Sequence, residues 1–401
     1  MSLLALSCIR HEPEAGNVVQ KEIMFDMPVT ASLTRSVPGP ILNASYSINE
    51  SMGVFMFHST DEPGVWTESS EKMLYIGNNE SAVSEEQRGA AEFRYNNSHN
   101  AWVGWNTTSY DVWPPTGNYK PYYWPAGGSL IFTGYSPYYR LETVASGVDD
   151  AQTAQGYDYN LVPIENVSFN LDTKTLTIKD YVVGAYVPMS RDQIDDPNVE
   201  YQNVSQSDLM YFLPNLDADG NYVGVNGVYS SEVLMHHALS LVEFTVKANT
   251  EEDMDYVSLH RILLKGVYHK GDFSVTAGVE GSAKWELDPD NLKEDEMIFH
   301  APDFDNHGRF EDGLMLDMDA RTVAQLLVIP GVTHDIMVTS HVLVDGQTYE
   351  NEFTFTPEEV GVKTWEIGKR YVYNITFGLN KITFSPETHE WTQNDGGISV
   401  Q

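Results

Sequence analysis

Between Trp365 and Trp391 large apolar residues fall on every second position. Tyr371, Tyr373, Ile375 and Phe377 alternate with Val372, Asn374 and Thr376. A period of two marks a strand with one face buried, because successive side chains point to opposite faces. Gly378-Leu379-Asn380 interrupts the run, Ile382 and Phe384 resume it, and Pro386 follows. The segment therefore predicts a terminal pair of strands with an indole at each end.

The same alternation recurs along the chain. In the first half it predicts strands over residues 22–29, 44–57 and 71–77, a hairpin of 167–171 and 175–178 about Asp172-Thr173-Lys174, and a strand in 207–213. Aromatic and β-branched residues crowd 101–105 and 129–137. In the second half it predicts strands over 236–246, 257–268, 272–275, 283–287, 324–329, 336–344 and 349–355. Residues 84–93 read as the helix of the first half, weakened by Gly89. Residues 214–227, rich in Asp, Asn and Gly, read as a linker. Each half carries about seven strands separated by turn signals, the spacing of a sandwich. The expected fold is all-β: two tandem antiparallel β-sandwich domains, residues 22–222 and 223–401, behind a tether of residues 1–21.

Composition supports that fold and narrows the function. Apolar residues make up 41% of the chain, enough for real cores, and aromatics 12%, led by 23 tyrosines, which favours strands. Acidic residues outnumber basic ones 58 to 23, for a formal net charge of −35. Such a surface repels phosphate backbones and anionic lipid, so nucleic-acid binding is excluded as a main function. No apolar run reaches the length of a membrane span.

The single cysteine, Cys8, permits no intramolecular disulfide. It ends the run Met-Ser-Leu-Leu-Ala-Leu-Ser-Cys, which is similar to the end of a bacterial lipoprotein signal without the basic start and with a short apolar stretch. Two readings stay open: a truncated signal with Cys8 as the lipidated residue, or a free thiol.

Candidate chemistry is sparse. Asp217, Asp219 and Asn221 alternate about Gly220 as calcium-loop oxygens do, but the distal glutamate of an EF-hand is missing. The alternative is an acidic turn. His236 and His237 are adjacent on a predicted strand and so face opposite ways, one toward the core and one outward. His300 and His307 flank two aspartates without zinc-type spacing, which favours a solvated loop. No nucleophile elbow or phosphate loop is present, and no cofactor is expected. Nothing supports an enzyme. The sequons at Asn43, Asn106, Asn203 and Asn374 read as accidents of Asn- and Thr-rich strands and turns in a bacterial chain. The remaining chemistry is an aromatic district of Trp102, Trp105, Trp113, Tyr122, Tyr123 and Trp124, which either fills a core or offers a stacking platform for sugar rings.

Five segments occur in a fixed order. They are Tyr123-Trp-Pro125 with Leu130-Ile-Phe-Thr-Gly-Tyr-Ser-Pro137; Gln206-Ser-Asp-Leu-Met-Tyr211; His237-Ala-Leu-Ser240 with Val242-Glu-Phe-Thr-Val246; Leu326-Leu-Val-Ile-Pro330; and Trp365-Glu-Ile-Gly-Lys-Arg-Tyr-Val-Tyr-Asn-Ile-Thr376 with Trp391. In that order the chain resembles the fimbrillin-like family, the lipoprotein pilins of Bacteroidetes-type (type V) fimbriae. The resemblance implies transthyretin-like, Greek-key sandwiches, export, lipidation at Cys8 and display at the outer membrane, in a fimbrium. It also implies cleavage after a basic residue that releases the first strand. The matching position is Arg35, because Arg10 and Lys21 precede that strand. The implied partners are other pilin subunits, through donor-strand exchange, and host proteins or glycans. After Trp391, Ile398 and Val400 are the residues suited to groove pockets, either as a donor strand or as a last strand at home. The expected function is a fimbrial subunit or adhesin; the alternative is a surface lipoprotein that binds glycans through Trp102–Trp124.

Overall fold

The computed structural model describes residues 21–26, 51–67, 69–76, 89–96, 98–99, 101–109, 116–144, 158–183, 208–226, 232–233, 235–300, 313–379, 381–391 and 398–400. Strands dominate it. The main strands of the long sheet built mostly from the first half are β1 (Phe25–Asp26), β2 (Ser51–Ser59), β3 (Ala91–Asn96), β4 (Ala101–Ser109), β5 (Ser129–Ser136), β6 (Met210–Phe212) and β7 (Glu232–Val233). The main strands of the second half are β8 (Ser240–Ala248), β9 (Val257–Leu264), β10 (Glu296–His300), β11 (Arg321–Val328), β12 (Ile336–Val344), β13 (Gln347–Phe355), β14 (Lys369–Gly378) and β15 (Lys381–Glu390). Close to the C-terminus lies β16 (Ile398–Val400).

The second half is a sandwich. One sheet has the order β11-β8-β14-β15, the other β10-β9-β12-β13. The alternation read from the terminal segment explains their contact. Tyr371, Tyr373, Ile375 and Phe377 of β14 project into one core with Val242, Phe244 and Val246 of β8. Val257, Leu259, Ile262 and Leu264 of β9 and Ile336 and Val338 of β12 meet them from the facing sheet. Pairing is antiparallel throughout except that β8 runs parallel to β14, from Leu241 opposite Arg370 to Ala248 opposite Phe377. Both indoles close their ends of the terminal pair. Trp365 Nε1 donates to the Tyr373 hydroxyl at 3.0 Å, and the Trp391 backbone N–H donates to Gly368 O at 2.9 Å.

The first half is built on one long sheet, in the order β7-β16-β1-β4-β3-β2-β5-β6 and then His236–His237. Strand β2 runs near its middle and buries both faces. Phe55 and Phe57 enter one core; Met52, Val54 and Met56 enter another. The first core is closed by a four-stranded sheet of Val167–Asn170, Thr175–Val182, Lys270–Thr276 and Lys284–Glu286. Strand pairing thus crosses residue 222, since Thr175–Val182 lies beside Lys270–Thr276. Around the second core the long sheet curls over itself. β1 and β6 are well separated in sheet order, yet the Phe25 and Phe212 rings lie 6.5 Å apart.

Two predicted elements change kind, and the strand expected over 236–246 divides, His236–His237 joining the long sheet and Ser240–Ala248 the sandwich. The helix expected over 84–93 is strand from Ala91 onward, because Ala91, Phe93 and Tyr95 alternate into the second core while β3 pairs with β2 and β4. Residues 84–88 lie outside the described residues. The linker expected over 214–227 is, over its described residues 214–226, a packed turn. Tyr222 is 2% exposed against Trp66, and Val223–Gly224 pairs with Gly64–Val65. A short helix, α1 (Glu251–Tyr256), precedes β9; the Thr250 hydroxyl caps it by accepting from the Asp253 N–H at 3.2 Å.

Candidate functional site

The best-defined unusual feature is the seat of the first strand. Lys21–Asp26 is separated in sequence from the strands it joins and is held on two sides. Phe25 pairs with Val400 on one side and Trp102 on the other; Asp26 pairs with Ser399. Upstream, Ile23 N–H donates to Tyr122 O at 2.8 Å and Trp124 N–H donates to Lys21 O at 2.9 Å. The Tyr119 hydroxyl donates to Glu22 Oε2. These bonds are mainly backbone bonds, so they hold extended chain with little regard to its sequence.

The side chains supply the rest. Ile23 and Phe25 are fully buried. The Phe25 ring meets Phe93 edge-on at 5.0 Å and Phe132 at 5.5 Å, a favoured aromatic geometry. Burial of an apolar side chain of this size contributes about 1.5–3 kcal/mol. The two side chains act as plugs in a curled sheet whose other described strands come from residues 51 and beyond. Without them, β4 and β16 face each other across a strand-wide gap with unpaired N–H and C=O groups, and the aromatic core opens beneath.

Strand β16 settles beside β1. Ile398 pairs with Val233, and Ser399 pairs with both Asp26 and Glu232. Residues 398–400, which the sequence leaves between a donor and a home strand, here join the chain's own sheet.

The aromatic district is divided by the fold. Trp102 and Trp124 are 4% and 5% exposed and belong to the core around Phe25. Their ring faces are covered and cannot stack on a sugar. Trp105 is half-buried under the Arg94 guanidinium, 5.4 Å from its ring; Tyr122 packs on Phe93, and burial, then the Glu92 carboxylate, pushes its hydroxyl up to about 12. Among the described members of the district only Tyr123 is substantially exposed, at 40%. The consecutive rings 122–124 therefore do alternate, and the core takes the outer two. Trp113, like Cys8 and Arg35, lies outside the described residues.

In the Asp217 turn, Asp217 Oδ1 accepts from Asp219 N–H at 3.0 Å and Asn221 N–H at 2.7 Å, and Oδ2 accepts from the Asn221 amide at 3.2 Å. Gly220 takes φ +81°. Both carboxylate oxygens are thus engaged in closing the turn, and Asp219 projects to solvent. His237 is buried and His236 exposed, the division that strand alternation predicts. His300 ends β10, and His307 lies outside the described residues.

The sequence profile of the fimbrillin-like family matches residues 49–391. No curated protein matches the chain. Among solved structures, a candidate cell adhesion protein from Bacteroides uniformis aligns at 14% identity, with 95% of this chain and 100% of that one covered and a TM-score of 0.44. A fimbrial protein from Bacteroides vulgatus aligns at 15% identity, covering 85% and 93%, with a TM-score of 0.45. The tip fimbrial protein Mfa3 from Porphyromonas gingivalis, C-terminally truncated, aligns at 11% identity, covering 85% and 94%, with a TM-score of 0.30. The family match spans both halves of the chain, from just before β2 to the closing Trp391, and the chain belongs to the fimbrillin-like family.

Proposed function

We propose that the chain is a surface fimbrial subunit that accepts a strand from another subunit after losing its own first strand. The observation that carries the reading is the seat of Ile23 and Phe25: fully buried, held mainly by backbone bonds, and bordered on both sides by strands. A segment held in this way can be replaced by another extended chain that offers apolar residues at alternate positions. Cleavage at Arg35 releases it from the rest of the chain. The vacated seat exchanges main-chain bonds and plugs for equivalent ones from a neighbour, and such a head-to-tail contact propagates instead of closing. Before the cut, the chain's own strand blocks assembly. The home position of Ile398–Val400 favours the acceptor role. On this reading Cys8 carries the lipid that takes the precursor to the outer membrane, and the mature role is structural.

Native trypsin digestion followed by mass spectrometry and size-exclusion chromatography tests this. The expected result is a cut at Arg35, release of the leader and growth of oligomers. A synthetic peptide of residues 20–29 in excess should then suppress the oligomers. A trimmed chain that stays monomeric with its seat empty would overturn the reading.

A further inference from the structure

On the outer face of the sheet β10-β9-β12-β13, far in sequence from the strand seat, three imidazoles and a carboxylate converge. Register explains how. His341 of β12 stands opposite Glu350 of β13 and opposite Ser258 of β9. Ile336, Val338 and Val342 turn inward from β12, so His341 turns out. In β9, Val257 and Leu259 face the core, and so do Ile262 and Leu264. The change of phase is a bulge: Leu259 pairs with Ser340 and Arg261 with Thr339, leaving His260 as the extra residue. The bulge aims His260 over its neighbour. The His260 and His341 rings stack at 4.3 Å and 20°, and His300 of β10 meets His260 edge-on at 5.2 Å.

We propose that His260, His341 and Glu350 form a binding site for a divalent transition-metal ion of the zinc class. One ligand atom from each lies within 4.8 Å of the others, and His341 Nε2 is 3.6 Å from Glu350 Oε2. A tetrahedral ion with bonds of about 2.1 Å holds its ligand atoms roughly 3.4 Å apart, so closure needs only rotamer adjustments. His260 Nδ1 is buried and makes no hydrogen bond among the described residues. A buried polar nitrogen without a partner costs free energy, and a metal bond removes that cost. Imidazole with one carboxylate suits zinc, copper or nickel, whereas calcium and magnesium take oxygen sets. Arg261, next to His260 in the chain, is directed to Glu352 at 3.7 Å and the Thr339 hydroxyl at 3.3 Å. His300 stands beside the site as a further donor. The ion would tie the edge strand β13 to β9 across β12.

The test uses full-length protein carrying no polyhistidine tag and stripped with EDTA. Zinc is titrated calorimetrically and thermal unfolding is followed with and without it. The expected result is one ion per chain and a higher Tm with zinc than without. Calcium should reproduce neither effect. His260→Ala should weaken zinc at least tenfold. Because His341 is buried and its loss threatens folding, Glu350→Gln, an exposed change, provides the second variant, with a smaller loss. Cobalt(II) should give the visible absorption of a nitrogen and oxygen site, absent in His260→Ala. Zinc affinity unchanged in both variants, or no zinc binding to the wild-type chain, would overturn the proposal. Either outcome leaves the strand-exchange reading intact.

Discussion

At the residue scale a buried polar joint sets His237 between Asp208 and Trp391. His237 Nδ1 lies 2.5 Å from Asp208 Oδ2, and the Trp391 indole stacks on the imidazole at 3.8 Å and 10°. All three are buried, and Trp391 belongs to the core shared by the long sheet and its four-stranded partner. Trp391→Ala should cost about 3–5 kcal/mol, the range for truncating a large buried aromatic, and should admit water to a buried polar pair. Trp391→Phe, which keeps a ring over His237, should lose less than half as much. The readout is the urea midpoint at unchanged slope. Asp217 allows a test with pH. The Asn221 backbone N–H, then its side-chain amide and the N–H groups of Asp219 and Gly220, hold the Asp217 carboxyl below the usual carboxylate range. A depressed folded value means that its contribution is complete above the unfolded value and is lost as pH falls through the folded one. Wild-type stability should therefore decline more steeply than that of Asp217→Asn as pH drops below about 4, in urea midpoints measured from about pH 5 to 3.

At the element scale the outer face of the sheet β11-β8-β14-β15 carries a polar brace. Glu243 of β8, 4% exposed, accepts from Arg370 Nη2 and from Gln325 Nε2, both at 2.8 Å, and its other oxygen accepts from the Thr322 hydroxyl at 3.2 Å. It joins three neighbouring strands, including the parallel pair. Arg370→Ala should cost about 3 kcal/mol, because it leaves a buried carboxylate short of its charged partner. The double variant Glu243→Leu/Arg370→Met should recover most of that loss, and a double-mutant cycle measures the coupling. Much of this sandwich was legible in the sequence, since a period of two needs no knowledge of the partner strand. Tyr371 to Phe377 fixed the buried face of β14, and the two indoles marked its ends. The expected helix over 84–93 shows the limit. Ala91, Phe93 and Tyr95 carry a strand period, but Glu85, Glu86 and Gln87 favour a helix, and tertiary pairing decides the end of the segment. The brace and the histidine cluster were not legible. Glu243 and Arg370 are far apart in sequence, and His260 meets His341 only through a bulge that no spacing announces.

At the scale of the whole molecule, the first and last of the described strands lie side by side, which the sequence could not place. Alternation predicts that residues 22–29 form a strand, and the resemblance to pilins leads to the proposal that this strand is removed. Neither says that Val400 borders Phe25. That arrangement makes the seat a gap between two strands instead of an edge, so in the proposed exchange an incoming strand would gain backbone bonds on both sides. Charge acts against the encounter. A net charge of −35 means that two copies repel until their surfaces are close. Salt shortens that repulsion: the Debye length falls from about 30 Å at 0.01 M to about 8 Å at 0.15 M. The burial of apolar plugs in the seat is not weakened by the same salt. Oligomerisation of the trypsin-trimmed chain, followed by light scattering, should therefore be faster at about 150 mM than at about 10 mM sodium chloride. An association steered by complementary charged patches would show the opposite dependence. Phe25→Asp in the uncut protein provides the matching control. It weakens the plug while leaving the chain connected, and it should make the leader leave its seat without trypsin, giving oligomers with the same salt dependence.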